Sequence, residues 1–485
     1  MIQSSYECCI IGAGPAGMGA AVELCKHGMT DIVIIDRNSI VGGLCRTDQL
    51  DCARFDIGPH RFYTKNKEVN ELWRRTLGAD FKPVDRLTRI YYKNKYYQYP
   101  LTLVDVLPKF GLIESCHAML SFASARVGRQ KSAETFEDWV RQRFGSKLYE
   151  VFFKTYTEKI WGIPCSQIGA DWAAQRIKDL NMIQLLKSVL FPASTGDGNV
   201  KTLVDQFDYP VLGAGQMYEA MCDGVAAHGV DVLLSAKVVA VHCSGQTIQS
   251  IDVIDAGGTS RNIRAKQYFS SIPMTKFFAM TQPGESDAVR AAAEALYYRE
   301  HITVDLLVDD DELFRDQCIY IHSPDVKMAR IANYNNFSKA MVKTPGKSAI
   351  SVEYFAFQSD QLWKQKEDDL KALAADELEY LGLLDKQRIE RSWVVRETEC
   401  YPTYFAGYQI PYGVLKARLK EYTNLYCLGR AGMYKYNNQD HSILSGLLAA
   451  RNYLRLQDTP FDLWKINIDA SYLESGERPQ AASSV

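Results

Sequence analysis

The sequence lacks the features that mark a membrane-spanning, nucleic-acid-binding or zinc-binding protein. It has no run of about 18 apolar residues, which predicts that no transmembrane helix is present. It has no block of basic residues, and its formal net charge is −2, so nucleic acid is not an expected partner. Twelve cysteines are present without a C-x-x-C pair or a Cys/His ligand spacing, which predicts buried reduced thiols and no metal site.

A secretory signal is also missing. The chain enters a predicted strand at Tyr6 without a charged segment and an apolar segment before it. Within that strand Cys8 and Cys9 adjoin, and strand alternation should direct their side chains to opposite faces. We therefore predict a cytoplasmic protein that acts on a small molecule. The sequence leaves open whether it forms a homodimer.

A glycine motif near the N-terminus follows the pattern of a dinucleotide-binding fold. The apolar run Tyr6–Ile11 predicts a buried parallel strand, and the good helix formers of Ala16–Leu24 predict a helix. Between them Gly12, Gly14 and Gly17 form G-x-G-x-x-G. Glycines permit the tight turn, let the backbone approach a pyrophosphate and let the helix pack against the strand, while the helix N-terminus attracts anions. This context predicts a pyrophosphate site.

A second buried strand, Ile32–Ile35, ends at Asp36. The carboxylate of Asp36 is placed to accept hydrogen bonds from ribose hydroxyls and would repel an adenosine 2′-phosphate, which argues against NADP. The following Gly42-Gly43-x-x-Arg46 resembles the second fingerprint of two-dinucleotide-fold flavoproteins. A simple NAD dehydrogenase does not need this element, so FAD is the predicted cofactor.

The rest of the pattern predicts an α/β fold. A Rossmann-type two-dinucleotide FAD-binding fold would carry a helical insertion and an antiparallel-sheet substrate domain. One helix, Gln361–Leu381, and a strand, Arg391–Thr398, follow the predicted antiparallel strands. Earlier in the chain the pattern predicts a hairpin over Arg89–Tyr99, a helix over Ala170–Leu180, a loop over residues 193–210 and two separate strands, Asn262–Ala265 and Gln267–Ile272. The predicted parts are a discontinuous FAD-binding domain (residues 1–98, 210–272 and 412–460), a helical insertion (99–209), the substrate domain (273–411) and a flexible tail (475–485).

Two features predict a pocket. Gly58-Pro59 breaks regular structure, so His60 lies on a rigid turn soon after the cofactor motifs, where we expect it to face the flavin. Tyrosines cluster at 91–99, 297–298 and 401–436, which suggests an aromatic pocket rather than a random surface.

These motifs together resemble the UDP-galactopyranose mutase-like branch of the amine-oxidase and protoporphyrinogen-oxidase flavoprotein superfamily. The similarity runs patchily over most of the chain. Its most specific piece is Tyr-Thr-Glu-Lys-x-Trp-Gly, because plain amine oxidases lack it. The matching pieces are the FAD fingerprints, Gly58-Pro59-His60-x-Phe62, Tyr99-Pro100, Tyr156-Thr157-Glu158-Lys159-x-Trp161-Gly162, and Gly429-Arg430 with Tyr434-Lys435-Tyr436.

The resemblance implies a chemistry without net redox. In the mutases reduced FAD attacks the anomeric carbon of a UDP-sugar through N5, and UDP leaves and later returns. A departing diphosphate needs arginine forks and hydroxyls that stabilise its charge. The implied catalytic residues are His60, Arg176, Arg430 and Tyr436. The implied substrate-binding residues are Tyr156, Trp161, Arg176, Tyr209, Tyr436 and Asn437. The cofactor-binding residues expected from the motifs and the resemblance are Gly12, Gly14, Gly17, Asp36, Arg37, Gly43, Leu44, Arg46, Gly58, Pro59, His60, Val238, Gly429, Arg430 and Asn438.

The chain also departs from the mutases. After Tyr436 they carry Tyr-Asp-Met-Asp-Gln, whereas this chain carries Asn-Asn-Gln-Asp-His, so one carboxylate near the substrate becomes Asn438. Residues 181–209 do not match the mutases' uridine-binding stretch. We therefore predict a FAD-dependent enzyme acting on a nucleotide-activated sugar, by N5 adduct chemistry or by redox at a sugar carbon. The alternative is an oxidase or desaturase of a non-sugar substrate. A membrane-facing apolar patch would favour this alternative, but the sequence shows no obvious membrane-binding stretch. A third interpretation is a non-catalytic flavin-binding partner protein.

Overall fold

The computed structural model describes residues 3–99, 101, 103–127, 132–172 and 206–467. The strands are β1 (Ser5–Ile11), β2 (Ile32–Ile35), β3 (Thr47–Leu50), β4 (Ala53–Asp56), β5 (Phe81–Asp85), β6 (Thr88–Tyr92), β7 (Lys95–Gln98), β8 (Gln206–Pro210), β9 (Asp231–Leu233), β10 (Lys237–Ser244), β11 (Thr247–Ile254), β12 (Ser260–Ser270), β13 (Thr281–Gln282), β14 (Tyr298–Val308), β15 (Cys318–Ile321), β16 (Arg330–Asn333), β17 (Ser348–Ala356), β18 (Ile389–Pro402) and β19 (Leu425–Cys427). The α-helices are α1 (Pro15–Lys26), α2 (Lys67–Leu77), α3 (Leu103–Phe110), α4 (Leu112–Val127), α5 (Phe136–Leu148), α6 (Thr155–Trp161), α7 (Gly215–Ala227), α8 (Met274–Met280), α9 (Asp287–Ala295), α10 (Gln361–Lys364), α11 (Glu367–Tyr380), α12 (Gln409–Glu421), α13 (Gly429–Gly432) and α14 (Gln439–Leu454).

The first sheet has the parallel core that the glycine motif predicts. Strand β1 pairs in parallel with β2 and β12, and β9 and β19 extend this core on its two sides. The long strand β12 also pairs antiparallel with β11, and β11 pairs antiparallel with β10, so these two strands extend the same sheet. Strands β1 and β2 are buried on both faces, and this explains why their sequences are almost continuously apolar. Helices α1 and α14 pack on this sheet and against each other.

The second sheet has the order β18-β14-β17-β16-β15-β6-β7 among the described residues. Its strands run antiparallel, except that β15 and β6 are parallel. The sheet buries one apolar face against α11, with Ile302, Val304 and Val352 at the centre of that cluster. Its other face carries the alternating polar residues His301, Thr303, Asp305 and Glu353.

A largely helical region follows β7 in the chain, as predicted. Helices α3 to α6 belong to it, and a π-helical turn, Tyr149–Lys154, joins α5 to α6. Helices α4 and α5 approach closely at Gly145, where a Cβ atom would lie 2.7 Å from the backbone of Ser121. The domain boundaries themselves remain a prediction.

Four details of the sequence prediction need correction. Hairpin β6–β7 was expected in the FAD-binding part, but β6 pairs with β15 and so belongs to the second sheet. Segments 262–265 and 267–272 were expected as separate strands, yet β12 runs through both, because it pairs with β11 and then with β1. The helix expected over Gln361–Leu381 is divided at Gln365 and Lys366. Residues 206–210 were assigned to a loop, but they pair with β5.

Adjacent cysteines in β1 confirm the predicted alternation. Cys8 lies in the cluster with Ala20, Leu24 and Ile34, whereas Cys9 lies in the cluster with Val33 and Tyr268 on the opposite face. Both thiols are fully buried and free, and burial raises their pKa values. They are therefore inert core residues. The predicted loop over 193–205, most of the helix expected over 170–180 and the predicted tail lie outside the described residues.

Candidate functional site: a dinucleotide cradle beside a buried arginine

The turn between β1 and α1 needs glycine at two positions for reasons internal to the protein. Gly12 has φ +105°, and a Cβ atom there would lie 2.0 Å from the Oγ atom of Ser271. A Cβ atom on Gly17 would lie 1.8 Å from the carbonyl oxygen of Gly12. Both clashes involve the contact of helix and strand, so these glycines bring α1 close to the sheet.

Gly14 differs, because neither packing nor conformation requires a glycine there. Its φ is −78°, and the nearest atom to a Cβ atom at this position would be the Cα of Gly43, at 3.8 Å. Gly43 stands opposite, in a turn held by a hydrogen bond from the Gly42 N–H to the carbonyl of Ala13 at 2.9 Å. The backbones of the two glycines are in contact and form a cradle without side chains at the N-terminus of α1. Such a cradle suits a diphosphate.

Asp36 lies at the carboxyl end of β2, beside this cradle. Its carboxylate accepts hydrogen bonds from the N–H groups of Ala13 at 2.7 Å and Asn38 at 2.8 Å. Burial raises its pKa. The backbone of Ala236 bonds to the Asp36 carbonyl at 2.8 Å, which brings the start of β10, with Val238, to the same edge. The predicted ribose contact and Val238 therefore lie on one side of the cradle.

The two predicted cofactor arginines near the cradle already have carboxylate partners. Arg46 is buried and pairs with Glu397 at 2.6 Å and Asp48 at 3.0 Å. Arg37 is more exposed and lies 3.9 Å from Glu397 and 3.6 Å from Glu399. Their charges are thus largely neutralised by these partners, so their role toward a cofactor stays a prediction. Leu44 lies between Gly43 and Arg46, half-buried in a 3-10 turn.

His60 follows the Gly58-Pro59 turn and is held in the neutral state. Burial, reinforced by the charges of Arg430 and Arg330, lowers its pKa to about 3. Its Nδ1 atom is buried without a hydrogen-bond partner in the part of the chain that the structure describes. Gly58 has φ +82°, and a Cβ atom there would contact Glu353, His301 and Arg330. The turn therefore rests directly on the polar face of the second sheet.

Arg430 is a half-buried cation held by uncharged groups. Its Nε atom donates to the carbonyl of Asn437 at 2.9 Å and its Nη1 atom to the carbonyl of Cys400 at 3.4 Å. Its guanidinium carbon lies 4.6 Å from the ring centre of Tyr436 and 5.1 Å from that of Tyr401. Within the described ranges no carboxylate neutralises it. A cation that is largely withdrawn from water and has no counter-charge favours an anion at the same place.

Aromatic side chains surround this arginine. The rings of Tyr436 and Tyr401 are 5.5 Å apart, and Trp161 lies 6.1 Å from Tyr436. The Trp161 ring is 3% exposed and contacts Trp172 and Tyr404 on its other side. The structure thus brings three predicted site residues together: Arg430, Tyr436 and Trp161.

The profile of the NAD(P)-binding Rossmann-like domain family matches residues 10–76. A Klebsiella pneumoniae protein described as a probable UDP-galactopyranose mutase is 31% identical over 165 residues, which cover 33% of this chain and 42% of that relative. A solved structure of reduced UDP-galactopyranose mutase superposes with a TM-score of 0.81 and 18% identity, over 97% of both chains. The fold is that of UDP-galactopyranose mutase. An Exiguobacterium protein described as a protoporphyrinogen oxidase matches with a TM-score of 0.69 and 15% identity, over 94% of this chain and 100% of its own.

The mutase fold confirms the predicted fold class and the predicted resemblance, and its named relatives are enzymes. The curated relative is matched over less than half of its length, so the activity and substrate of this chain remain proposals.

Other predicted residues of the mutase fold have partners within the protein. Tyr156 stacks on His322, with 4.6 Å between ring centres. Asn437 is buried, donates to the carbonyl of Gly429 at 3.2 Å and supports Arg430 from its own carbonyl. Asn438 begins α14, where its N–H reaches the Nδ1 atom of His441 at 3.3 Å. Gly429 has φ +71° and faces Ala16 in α1.

Tyr209 lies apart from the aromatic group around Arg430. It belongs to a separate hydrophobic cluster with Phe207 and Phe337, and its hydroxyl donates to Asp56 at 2.6 Å. Its proposed substrate contact has no support in this geometry. Arg176 and Pro100 lie outside the described residues.

Three residues that the sequence analysis missed belong to the site. Arg330 on β16 pairs with Glu353 on β17, which also binds the Nε2 atom of His301 at 2.7 Å. The Nε atom of Arg330 and the Oε1 atom of Glu353 are buried without partners among the described residues. The sequence did contain an indication of this polar face. His301, Thr303 and Asp305 alternate with apolar residues in strand β14, which is buried on both faces.

The described ranges contain no group of three or more His, Cys, Asp or Glu side chains placed to hold a metal ion. In the same ranges, no helix has both the length and the apolar character that crossing a membrane requires.

Proposed function

We propose that this protein is a FAD-dependent enzyme that acts on a nucleotide-activated sugar. The observation that carries the proposal is Arg430, a half-buried cation between two tyrosine rings, near neutral His60 and close to a dinucleotide cradle. A nucleotide sugar would supply both the anion that Arg430 lacks and an apolar-faced ring for Trp161 and Tyr436 to contact. The mutase fold and the Klebsiella relative support the same substrate class.

The residues present fit FAD. The N-terminus of α1 beside Gly14 and Gly43 suits its diphosphate, Asp36 suits its ribose, and the unpartnered Nδ1 atom of His60 suits a polar edge of its ring system. When bound, FAD would supply a nucleophilic nitrogen for mutase chemistry or a hydride acceptor for an oxidation.

The chain's own residues would bind the leaving group and exclude water. Arg430 would hold a departing diphosphate, because no described carboxylate competes for it. Arg330, oriented by its ion pair with Glu353, would offer its unpartnered Nε–H group to the ligand. Trp161 and Tyr436 would shield the reacting carbon from solvent. His60 would remain neutral at physiological pH and could exchange a hydrogen bond at Nδ1.

The FAD proposal is tested with Gly14→Ala. Purified protein should be yellow and release noncovalent FAD on denaturation. Gly14→Ala should keep the fold, because its Cβ would meet the nearest atoms, in Gly42 and Gly43, at the ordinary van der Waals distances of 3.8 to 4.0 Å. It should lose FAD, because the added methyl group would keep the diphosphate from approaching the backbone at the start of α1. Gly224→Ala on α7 is the control, since its Cβ meets nothing within 4 Å. Colourless protein that gains no flavin on reconstitution would refute the proposal.

The sugar proposal is tested on reduced protein without oxygen. A panel of nucleotide sugars is added, the reaction is quenched with cyanoborohydride, and the mass of the released flavin is measured. A flavin heavier by one sugar supports mutase-like chemistry despite Asn438. An unmodified flavin across the panel argues against it and leaves the FAD proposal standing.

The second candidate is an oxidase or desaturase of a non-sugar substrate. The likeness to a protein described as a protoporphyrinogen oxidase favours it. Under this alternative, the substrate reduces the oxidised flavin and its visible absorbance decreases. This decrease does not require a nucleotide sugar. Anaerobic absorbance titration with apolar amines and porphyrinogens distinguishes the two.

A further inference from the structure

Helix α4 presents most of its large apolar side chains to solvent. Leu112, Ile113 and Leu120 are 87%, 85% and 71% exposed, and Met119 is 43% exposed. On the inward side Ala118 is only 4% exposed and Phe122 packs against the same cluster. A helix on a water-facing surface normally shows the opposite arrangement. The outward residues Leu112, Ile113, Cys116, Met119 and Leu120 are called the α4 face below.

Contiguous exposed apolar residues of this kind mark an interaction surface. Single exposed hydrophobic residues occur elsewhere, such as Ile410 on α12 at 77% exposure, but the large apolar residues on α4 follow one another at helical spacing. Neighbouring residues on a helix separated by three, four or seven positions share a side. The α4 face is therefore a surface rather than a scatter of residues.

Basic residues surround the start of the α4 face. Lys147 pairs with Glu114 on α4 at 2.5 Å, and Lys93 and His117 also act on that carboxylate and lower its pKa. Lys95 donates to the carbonyl of Lys109 at 2.6 Å, just before α4 begins. Among the described residues around the start of α4, four are basic (Lys93, Lys95, Lys109, Lys147) and two are acidic (Asp105, Glu114).

We propose that the α4 face docks the protein onto the surface of an anionic lipid bilayer. An apolar helix side flanked by lysines lies in the interface plane, with its apolar residues among the acyl chains and its cations at the headgroups. Docking of this kind departs from the expectation, drawn from the sequence, that no membrane-binding stretch is present. That stretch escaped notice because α4 is too short to resemble a membrane span.

The docked helix belongs to the same hydrophobic cluster as the candidate site. Ala118 of α4 packs in the cluster that contains Trp161, and Tyr436 packs against it. Docking through α4 would thus hold this part of the site near the bilayer. Bilayer docking does not depend on the proposed sugar chemistry.

The experiment is vesicle flotation of the full-length protein with bound cofactor. Vesicles of phosphatidylcholine alone are compared with vesicles containing equal parts of phosphatidylglycerol. We expect co-flotation with the anionic vesicles and weaker binding at high salt. Ile113→Asp/Leu120→Asp should weaken binding by at least about a hundredfold, because each side chain leaves the acyl region. Lys93→Glu/Lys95→Glu should weaken it by about tenfold or more.

Ile410→Asp is the matched control, because it removes an equally exposed apolar residue from another helix. It should float as the parent protein does. Circular dichroism and flavin content confirm that each variant is folded. Failure of the parent protein to float, or equal flotation of the α4 variant, overturns the proposal. Light scattering measures the molar mass of the parent protein and of the Ile113→Asp/Leu120→Asp variant. A parent protein that is a dimer and does not bind vesicles, with a monomeric variant, would overturn the proposal and assign the α4 face to contact with a second copy of the chain.

Discussion

At the residue scale, His60 and Arg430 share a buried environment that acts on them differently. Burial and two neighbouring guanidinium groups keep His60 neutral, with a pKa of about 3. Arg430 keeps its charge, because a guanidinium group does not lose its proton in proteins. The site thus combines a neutral hydrogen-bonding group with a fixed cation. This combination suits a substrate that carries a phosphate next to uncharged hydroxyls.

Arg430→Ala should weaken binding of a nucleotide sugar by at least ~2 kcal/mol, because it leaves phosphate charge unpaired. Arg176→Ala, predicted from the sequence, should have an effect of the same size. Isothermal titration of the flavin-bound protein with UDP-galactose measures both. Arg391→Ala, at an exposed arginine near Asp51, is the control. Unchanged affinity in both site variants would remove the sugar-nucleotide proposal.

His322 offers a pH test of burial away from Arg430. Burial, reinforced by Lys159, lowers its pKa from 6.5 to about 3. Because the unfolded state binds the proton more readily between these values, the free energy of unfolding should fall as pH falls from about 6.5 to about 3. His322→Phe, which can still stack on Tyr156, should reduce that slope. Urea unfolding at several pH values measures it, and an unchanged slope would show that His322 does not stay neutral in the fold.

At the scale of elements, the polar face of the second sheet brings charges from three strands together. Arg330, Glu353 and His301 come from β16, β17 and β14, and each contact spans neighbouring strands. Glu353 is fully buried, and its pKa is lowered because Arg330 and His301 outweigh the effect of burial. The sheet therefore fixes the position of Arg330 through a carboxylate rather than through packing alone.

Glu353→Gln should destabilise the protein by about 3 kcal/mol, because it leaves Arg330 as an uncompensated buried charge. Glu390→Gln is the control: Glu390 pairs with Lys347 at the surface, where loss of a pair should cost at most about 1 kcal/mol. Urea denaturation monitored by tryptophan fluorescence measures both. Equal effects of the two substitutions would mean that the buried pair does not support the sheet.

The contact of α1 with the first sheet depends on a single missing methyl group. Gly17→Ala would place a Cβ atom against the carbonyl of Gly12, so α1 must move, and we expect loss of stability as well as loss of FAD. Gly224→Ala, in the middle of α7, should instead raise stability by up to about 1 kcal/mol. Thermal unfolding measures both effects: we expect the Tm to fall in Gly17→Ala and to rise in Gly224→Ala. A stable Gly17→Ala protein would contradict the close packing of α1.

At the scale of the whole molecule, the candidate cofactor site joins the two sheets. The cradle and Asp36 lie on the first sheet, whereas Arg330 and Glu353 lie on the second, with His60 resting against them. A ligand that spans both would stabilise their relative position. FAD at about 100 times its Kd should therefore add ~2.7 kcal/mol to the free energy of unfolding.

Scanning calorimetry of flavin-depleted protein with and without FAD tests this coupling. At equal concentration, AMP, which lacks the flavin ring, should stabilise less than FAD if contacts of the ring with the second sheet add to the affinity. Equal stabilisation by AMP and FAD would confine the ligand contacts to the cradle.

The sequence by itself determined those features that depend on neighbouring residues. The glycine spacing, the strand Ile32–Ile35 with Asp36 at its end, and the opposite burial of Cys8 and Cys9 follow from local conformation and strand alternation, so they were predicted correctly. The tertiary structure decided features that depend on partners far away in the chain. Arg46 could not be seen to pair with Glu397, nor β6 to join β15, because such contacts are selected by packing and not by local pattern. For the same reason, only the fold revealed that the apolar side of α4 faces outward and that Arg330, Glu353 and His301 meet beneath His60.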